Sequence, residues 1–321
     1  MEAQTMKGLK KAMTCAGILA AAGIGETAYF YQRTMKRNNA KVEKTIKMAG
    51  TDWNQHMPFL EKRKEFMMAQ THEDVYQTSF DDLKLHATYF PAIDEDANKR
   101  KIVIGFHGYT SKGMSDYVGL SGYYLKKGFA MLLPDARAHG ESEGEYIGFG
   151  CLDRKDALVW INWAIQELGE EVEIVLHGLS MGGSTVLMAS GPDLPEQVKG
   201  IVSDCAFTSP KEVFTHALHS MYHLPAFPVI QGADMVNKKL AGYGMDECNA
   251  KREVAKAKVP ILFIHGTNDT FVPYQMCHEI YDCCASPKKM LAVEGAAHGE
   301  SYCKDTEKYE QALDEFFEDI I

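Results

Sequence analysis

The chain has 321 residues, 45% of them apolar and 24% charged, an ordinary balance for a globular protein with room for one large α/β domain and extensions. Its eight irregularly spaced cysteines do not form the pattern of a disulfide framework and point to a reducing environment. The net charge of −10 divides unevenly: residues 1–50 hold nine Lys/Arg against three Glu, a net +6, which leaves −16 on the remainder; so acidic a body argues against nucleic-acid binding, whereas the basic head suits anionic lipid.

Taken in chain order, the first feature is the Ala/Gly-rich run from Ala12 to Gln32, bracketed by Lys11 and Arg33. As a helix it would extend about 30 Å, the thickness of a bilayer core. Glu26 makes insertion marginal, and Tyr29, Phe30 and Tyr31 resemble an interfacial aromatic belt. Three readings stay open: an uncleaved membrane anchor over residues 12–32, which is favoured; a signal peptide cut at Ala20-Ala21-Ala22; and a buried or surface helix. The larger number of basic residues after the run points to a cytoplasmic body, while a signal-like N-terminus predicts the reverse. The expected divisions are a basic and apolar segment over 1–32, a charged helical connector over 33–70, and a main domain over 71–321.

That domain opens with two antiparallel strands, near Asp74–Ser79 and Leu83–Phe90, followed by a third at Ile102–Phe106. Helices are predicted over Met114–Lys127, Cys151–Leu168, Pro273–Cys284 and Tyr302–Phe317. Short apolar runs without alternation, such as Val259–Gly266, read as strands buried on both faces. Strands alternating with helices at this spacing predict a mostly parallel, doubly wound sheet. The stretch Pro210–Lys258 is too long for a simple connection between the sixth and seventh strands.

The most informative residues are Gly178-Leu179-Ser180-Met181-Gly182, which follow the strand Val172–Leu176 and precede a compact apolar helix stopped by Gly191-Pro192. A serine flanked by glycines at a strand-to-helix turn is left exposed on a sharp bend, with a helix N-terminus behind it that favours negative charge. Downstream, Asp269 lies just past the strand at Val259–Gly266, and His298 lies in the glycine-flanked loop after Lys289–Val293. Both belong at the same edge of the sheet as Ser180. The chemistry calls for these three types together. A serine hydroxyl is a poor nucleophile unless an imidazole takes its proton, and a carboxylate fixes the tautomer of that imidazole and stabilises its cation. The oxyanion then needs two backbone N–H donors, assigned to Met181 and Tyr109.

These pieces identify a resemblance. His107-Gly108-Tyr109-Thr110-Ser111, Asp135-Ala136-Arg137-Ala138-His139-Gly140-Glu141-Ser142, the Ser180 elbow, Gly266-Thr267-Asn268-Asp269 and Gly295-Ala296-Ala297-His298-Gly299 occur in the order found in the α/β-hydrolase superfamily. The chain resembles that superfamily from about Thr71 to its C-terminus, and most resembles its bacterial serine-aminopeptidase-like and acyl-ester hydrolase branch. Ala138 departs from the glycine usual in the second motif. The resemblance implies an eight-stranded α/β-hydrolase fold with an N-terminal helical extension and a helical cap inserted over 210–258. It also implies a serine hydrolase needing no cofactor.

Each assignment has a competitor. Asp269 could instead cap the following helix, and Asp204, after the sixth strand, is an alternative acid. His107, His177 and His265 each precede a glycine and read as loop-shaping, and His139 as bonding within its own loop. The apolar cap sequence around Met221 and Tyr222 either lines an acyl pocket or simply packs. Metal binding is disfavoured, with no HExxH, CxxC or EF-hand pattern. The expectation is cleavage of a carboxylic ester bearing a small or medium apolar acyl or aryl group. A peptidase or thioesterase acting on a peptide-like or thioester substrate would use the same groups, and a membrane-tethered, non-catalytic binding protein is the reading from another class.

Overall fold

A computed structural model describes residues 25–37, 51, 53–93 and 100–321. Eight strands form one sheet: β1 (Glu73–Thr78), β2 (Lys84–Phe90), β3 (Lys101–Phe106), β4 (Phe129–Pro134), β5 (Glu173–Leu179), β6 (Val198–Asp204), β7 (Ile261–Gly266) and β8 (Lys288–Val293). Their order is β1-β2-β4-β3-β5-β6-β7-β8. The β1–β2 and β2–β4 pairs are antiparallel, and from β4 through β8 every pairing is parallel. This is the mostly parallel, doubly wound sheet that the sequence predicts.

The helices are α1 over 25–34, α2 (Met57–Met68), α3 (Gly113–Asp116), α4 (Val118–Lys126), α5 (Asp153–Leu168), α6 (Met181–Ala189), α7 (Pro210–Tyr222), α8 (Val229–Leu240), α9 (Ala250–Val254), α10 (Tyr274–Cys283), α11 (Ser301–Lys304) and α12 (Thr306–Phe317). The period-2 geometry of the strands divides the core in two. Ile102, Ile104 and Phe106 of β3 point to one face with Trp160 of α5 and Leu187 of α6. Val103 points to the other, with Tyr124 of α4 and Leu313 of α12. Burial on both faces explains why the central strands read as unbroken apolar runs.

Two expectations needed adjustment. The helix predicted over Met114–Lys127 is broken at Tyr117, a fully buried residue that ends α3 and starts α4; its hydroxyl donates to the His177 carbonyl at 2.5 Å. The helix predicted over Tyr302–Phe317 is likewise broken, at Asp305, which ends α11 and opens α12 with its side chain accepting from Lys308 N at 3.2 Å. The long β6–β7 insertion is helical, as expected, and consists of α7, α8 and α9, with α7 opened by Pro210 and capped by Ser209 Oγ, which accepts from Glu212 N at 3.2 Å.

Most of the run over 12–32 lies outside the described residues. No helix among the described residues is long and apolar enough to cross a membrane. The described part, α1, lies against the insertion. The Phe30 ring meets Phe214 edge-on at 5.4 Å, and Tyr31 donates to Asn237 Oδ1 at 3.3 Å. Phe30 and Tyr31 are therefore packing residues, while Tyr29 remains 64% exposed; only Tyr29 of the three is free to contact lipid, which corrects the reading of all three as a belt. The contrast is measurable. Phe30→Ala should destabilise the protein by about 3 kcal/mol through loss of burial and creation of a cavity, and Tyr29→Ala by less than about 0.5 kcal/mol, in urea unfolding followed by circular dichroism.

Candidate active site

The β5–α6 turn leaves no room for side chains on either side of Ser180. A Cβ on Gly178 would overlap the Gly182 carbonyl, and one on Gly182 would overlap the Phe106 carbonyl of β3. Ser180 itself adopts φ 55°, ψ −111°, a conformation costly for a residue with a side chain. Its backbone is held on both sides: Ser180 N donates to the Asp204 carbonyl at 2.9 Å, and its own carbonyl accepts from Ser184 N at 2.9 Å.

The three side chains singled out in the sequence meet at this turn. Ser180 Oγ lies 2.8 Å from His298 Nε2, and His298 Nδ1 lies 2.7 Å from Asp269 Oδ2. A carboxylate facing Nδ1 requires the hydrogen on that nitrogen and leaves Nε2 free to accept from the serine hydroxyl. Asp269 and His298 are both buried. Burial by itself would raise the Asp269 pKa, but the charge of His298 and the hydrogen bonds from His265 and His298 outweigh it and hold the carboxyl well below the usual range. Its other oxygen, Oδ1, accepts from Phe271 N at 3.0 Å and Val272 N at 2.8 Å. One oxygen of Asp269 thus closes its own turn and the other faces the imidazole, and the alternative reading of Asp269 as the cap of the following helix is not met. Helix α10 starts later, at Tyr274, with no side-chain cap.

Asp204, the competing acid, faces elsewhere. Its oxygens accept from Ser301 Oγ and Tyr309 Oη, each at 3.1 Å, and burial pushes its pKa up to about 6.

Of the two N–H groups assigned to the oxyanion, Met181 is the first residue of α6, where backbone N–H groups lack helical partners. Tyr109 follows Gly108, whose Cβ position lies 3.4 Å from Ser180 Cβ, so the loop after β3 runs against the serine. The Tyr109 ring rests on Phe149 at 5.3 Å and its hydroxyl donates to the Arg33 carbonyl at 3.3 Å. Helix α7 adjoins the acid loop through His216 Nε2, which donates to the Thr270 carbonyl at 2.9 Å.

Three supports were not apparent from sequence. His139 reaches beyond its own loop: its Nδ1 donates to the Arg137 carbonyl at 3.0 Å and its Nε2 accepts from Thr110 N at 3.2 Å, bracing the Tyr109 loop. Burial lowers its pKa to about 3, which keeps the accepting nitrogen unprotonated. Glu300 ties the His298 loop to the connector, accepting from Ala297 N (2.9 Å) and Gln55 Nε2 (2.9 Å) and pairing with His56 Nε2 (2.6 Å). His265 contacts Asp269 directly, at 3.2 Å. The last has a sequence signal, a histidine four residues before the acid, but spacing within a turn does not say which way a ring points. The Ala138 departure also has a counterpart, since this alanine sits at φ 61°, where glycine is the unstrained residue.

Sheet order, elbow and loop placement together define an α/β hydrolase. Within that class the chain belongs to the prolyl oligopeptidase family, whose family model matches residues 122–321. It is 27% identical over 197 residues to the YqkD protein of Bacillus subtilis, a match that covers 61% of this chain and 65% of that one, just under two thirds of the relative's length. The lysophosphatidylserine lipase ABHD12 of Danio rerio is 26% identical over 193 residues, 59% of this chain and 48% of that one. Among solved structures, the Pyrococcus furiosus esterase Pf2001 superposes with a TM-score of 0.64 at 21% identity, covering 80% of this chain and 93% of the esterase; this likeness is one of fold.

The raised pKa of Asp204 carries a sign. The folded state prefers the neutral acid, so this group's stabilisation is complete below the unfolded carboxyl value of 3.8 and is lost as pH rises through about 6. Asp204→Asn should therefore flatten the stability–pH curve between pH 4 and 6 by an amount on the order of 2–3 kcal/mol, read as the difference between variant and wild type in denaturant titrations at graded pH.

Proposed function

We propose that this protein is a serine hydrolase that cleaves carboxylic esters bearing a small or medium apolar acyl or aryl group. One observation carries the reading: the unbroken line from Ser180 Oγ through His298 to Asp269, with contacts of 2.8 and 2.7 Å. His298 Nε2 takes the proton as Ser180 attacks the ester carbonyl, then returns it to the departing alcohol. Asp269 keeps the imidazole oriented and stabilises its cation. The N–H groups of Met181 and Tyr109 bind the oxyanion, and water cleaves the resulting acyl-enzyme by the same steps in reverse roles. This chemistry calls for no cofactor.

The ester preference is supported by the aromatic residues beside the elbow. Phe149 packs on Tyr109 at 5.3 Å and on Phe214 of α7 at 4.8 Å, and the Phe271 ring lies 5.0 Å from that of His298. In this reading the insertion of α7 and α8 is a cap that walls the acyl or aryl site. The names of Pf2001 and ABHD12 describe an esterase and a lipase, in keeping with ester cleavage. The family's name favours a second reading, cleavage of a peptide-like substrate through the same groups. Attachment to a membrane through residues 12–32 fits the basic head and the partly exposed α1, and is proposed on the same footing.

The reading is tested with p-nitrophenyl esters of graded chain length set against aminoacyl anilides. Short and medium esters should be turned over, and turnover of the anilides alone would replace the esterase by the peptidase. Ser180→Ala should abolish labelling by a fluorophosphonate probe and lower kcat by about 10⁴-fold or more. Asp269→Asn should lower it by about 10³- to 10⁴-fold, whereas Asp204→Asn should leave it within a few-fold of wild type. Labelling that survives Ser180→Ala would remove the enzyme reading.

A further inference from the structure

His265, at the end of β7, is completely buried and has no part in the proton transfers just described. Its surroundings are specific. Nε2 lies 2.9 Å from the Val272 carbonyl and 3.2 Å from Asp269 Oδ2. Both are acceptors, so this nitrogen carries a hydrogen whatever the charge of the ring; it hydrogen-bonds the Val272 carbonyl and presents the same N–H edge to the carboxylate as a close electrostatic contact. Nδ1 makes no hydrogen bond of full geometry, and the Cys277 thiol of α10 is another polar group that acts on the ring. The Nε2 edge, fixed by its hydrogen bond to the Val272 carbonyl, meets the oxygen that also accepts from His298 Nδ1 at 2.7 Å. The same N–H closes the 269–272 turn from its carbonyl side, while Asp269 Oδ1 closes it from the amide side.

We propose that His265 is a positioning residue of the hydrolytic site, whose Nε2–H holds Asp269 Oδ2 in place and moderates the pull of that carboxylate on the His298 ring. The inference rests on the serine-hydrolase reading above. A carboxylate oxygen shared by two donors has its charge spread between them, so each is held less strongly than it would be alone. Removing His265 frees Asp269 Oδ2 to favour the His298 cation, and the His298 proton then leaves at higher pH. The direction is the same for a neutral or a charged His265, because losing the N–H edge and losing a positive charge both stabilise the His298 cation. The other titratable neighbours of His265 are Tyr274 and Cys277 on α10, with the Tyr274 ring at 5.7 Å, and Asp204 on β6. All stay in place when only His265 is changed.

The experiment is the pH profile of kcat/KM on p-nitrophenyl butyrate for wild type, His265→Phe and His265→Gln. Phenylalanine fills the site without a donor, and glutamine can place its amide N–H near the Nε2 position. His265→Phe should move the acid limb up by about 0.5–1 pH unit and lower the plateau kcat by about tenfold with KM little changed; His265→Gln should restore both. If the phenylalanine variant does not fold, His265→Asn, whose shorter amide falls at the Nδ1 position, should show the same displaced limb. A limb coincident with wild type in the variants lacking the donor, or a glutamine variant as displaced as they are, would overturn the proposal. Wild type without esterase activity would overturn the functional reading and this one together, so the two failures are told apart.

Discussion

A dehydrated carboxylate organises the site. Asp269 has no solvent contact on its side chain, and an unpaired charge there would cost several kcal/mol. It is stabilised by four N–H groups, two from its own turn and two from imidazoles. The demands of one charge therefore shape the turn after β7, orient the His298 ring and place the edge of His265. With that carboxylate fixed, the His298 tautomer follows, and with it the nitrogen that faces Ser180.

The serine is presented by steric exclusion. Parallel strands β3 and β5 lie side by side, so the turn leaving β5 passes directly over the end of β3. Glycines at 178 and 182 permit that passage, and the strained Ser180 backbone is anchored to the neighbouring strand by its bond to Asp204. Asp204 thus serves the serine through its main chain while its side chain is occupied with Ser301 and Tyr309. Neutral His139 braces the facing loop. Much of the polar chemistry near the serine is support of this kind, which rigid presentation of a reactive group requires.

Elements outside the sheet are joined to the site as well. An aromatic series leads from Phe30 of α1 through Phe214 of α7 and Phe149 to Tyr109. At the opposite side, Gln55 and His56 of the connector grip Glu300 beside His298. The described parts of the N-terminal extension thus pack on α7 and α8 of the insertion and on the His298 loop.

The fold class, the succession of strands along the chain, and Ser180, Asp269 and His298 as candidates were legible in the sequence because each rests on local signals. Buried strands show as apolar runs, the elbow as spaced glycines, and the acid and the histidine as residues in loops that follow strands. The choice between Asp269 and Asp204 was not local. Both follow strands, and only the packing of α11 and α12 directs Ser301 and Tyr309 to one of them and leaves His298 to the other. The roles of His139, Glu300 and His265, and the burial of Phe30 and Tyr31, likewise depended on where rings point and which surfaces meet. Residue type and spacing determine what a side chain can bond to; the tertiary structure decides which partner it reaches, because most of those partners lie tens to hundreds of residues away along the chain and the near ones depend on where a ring is turned by its packing.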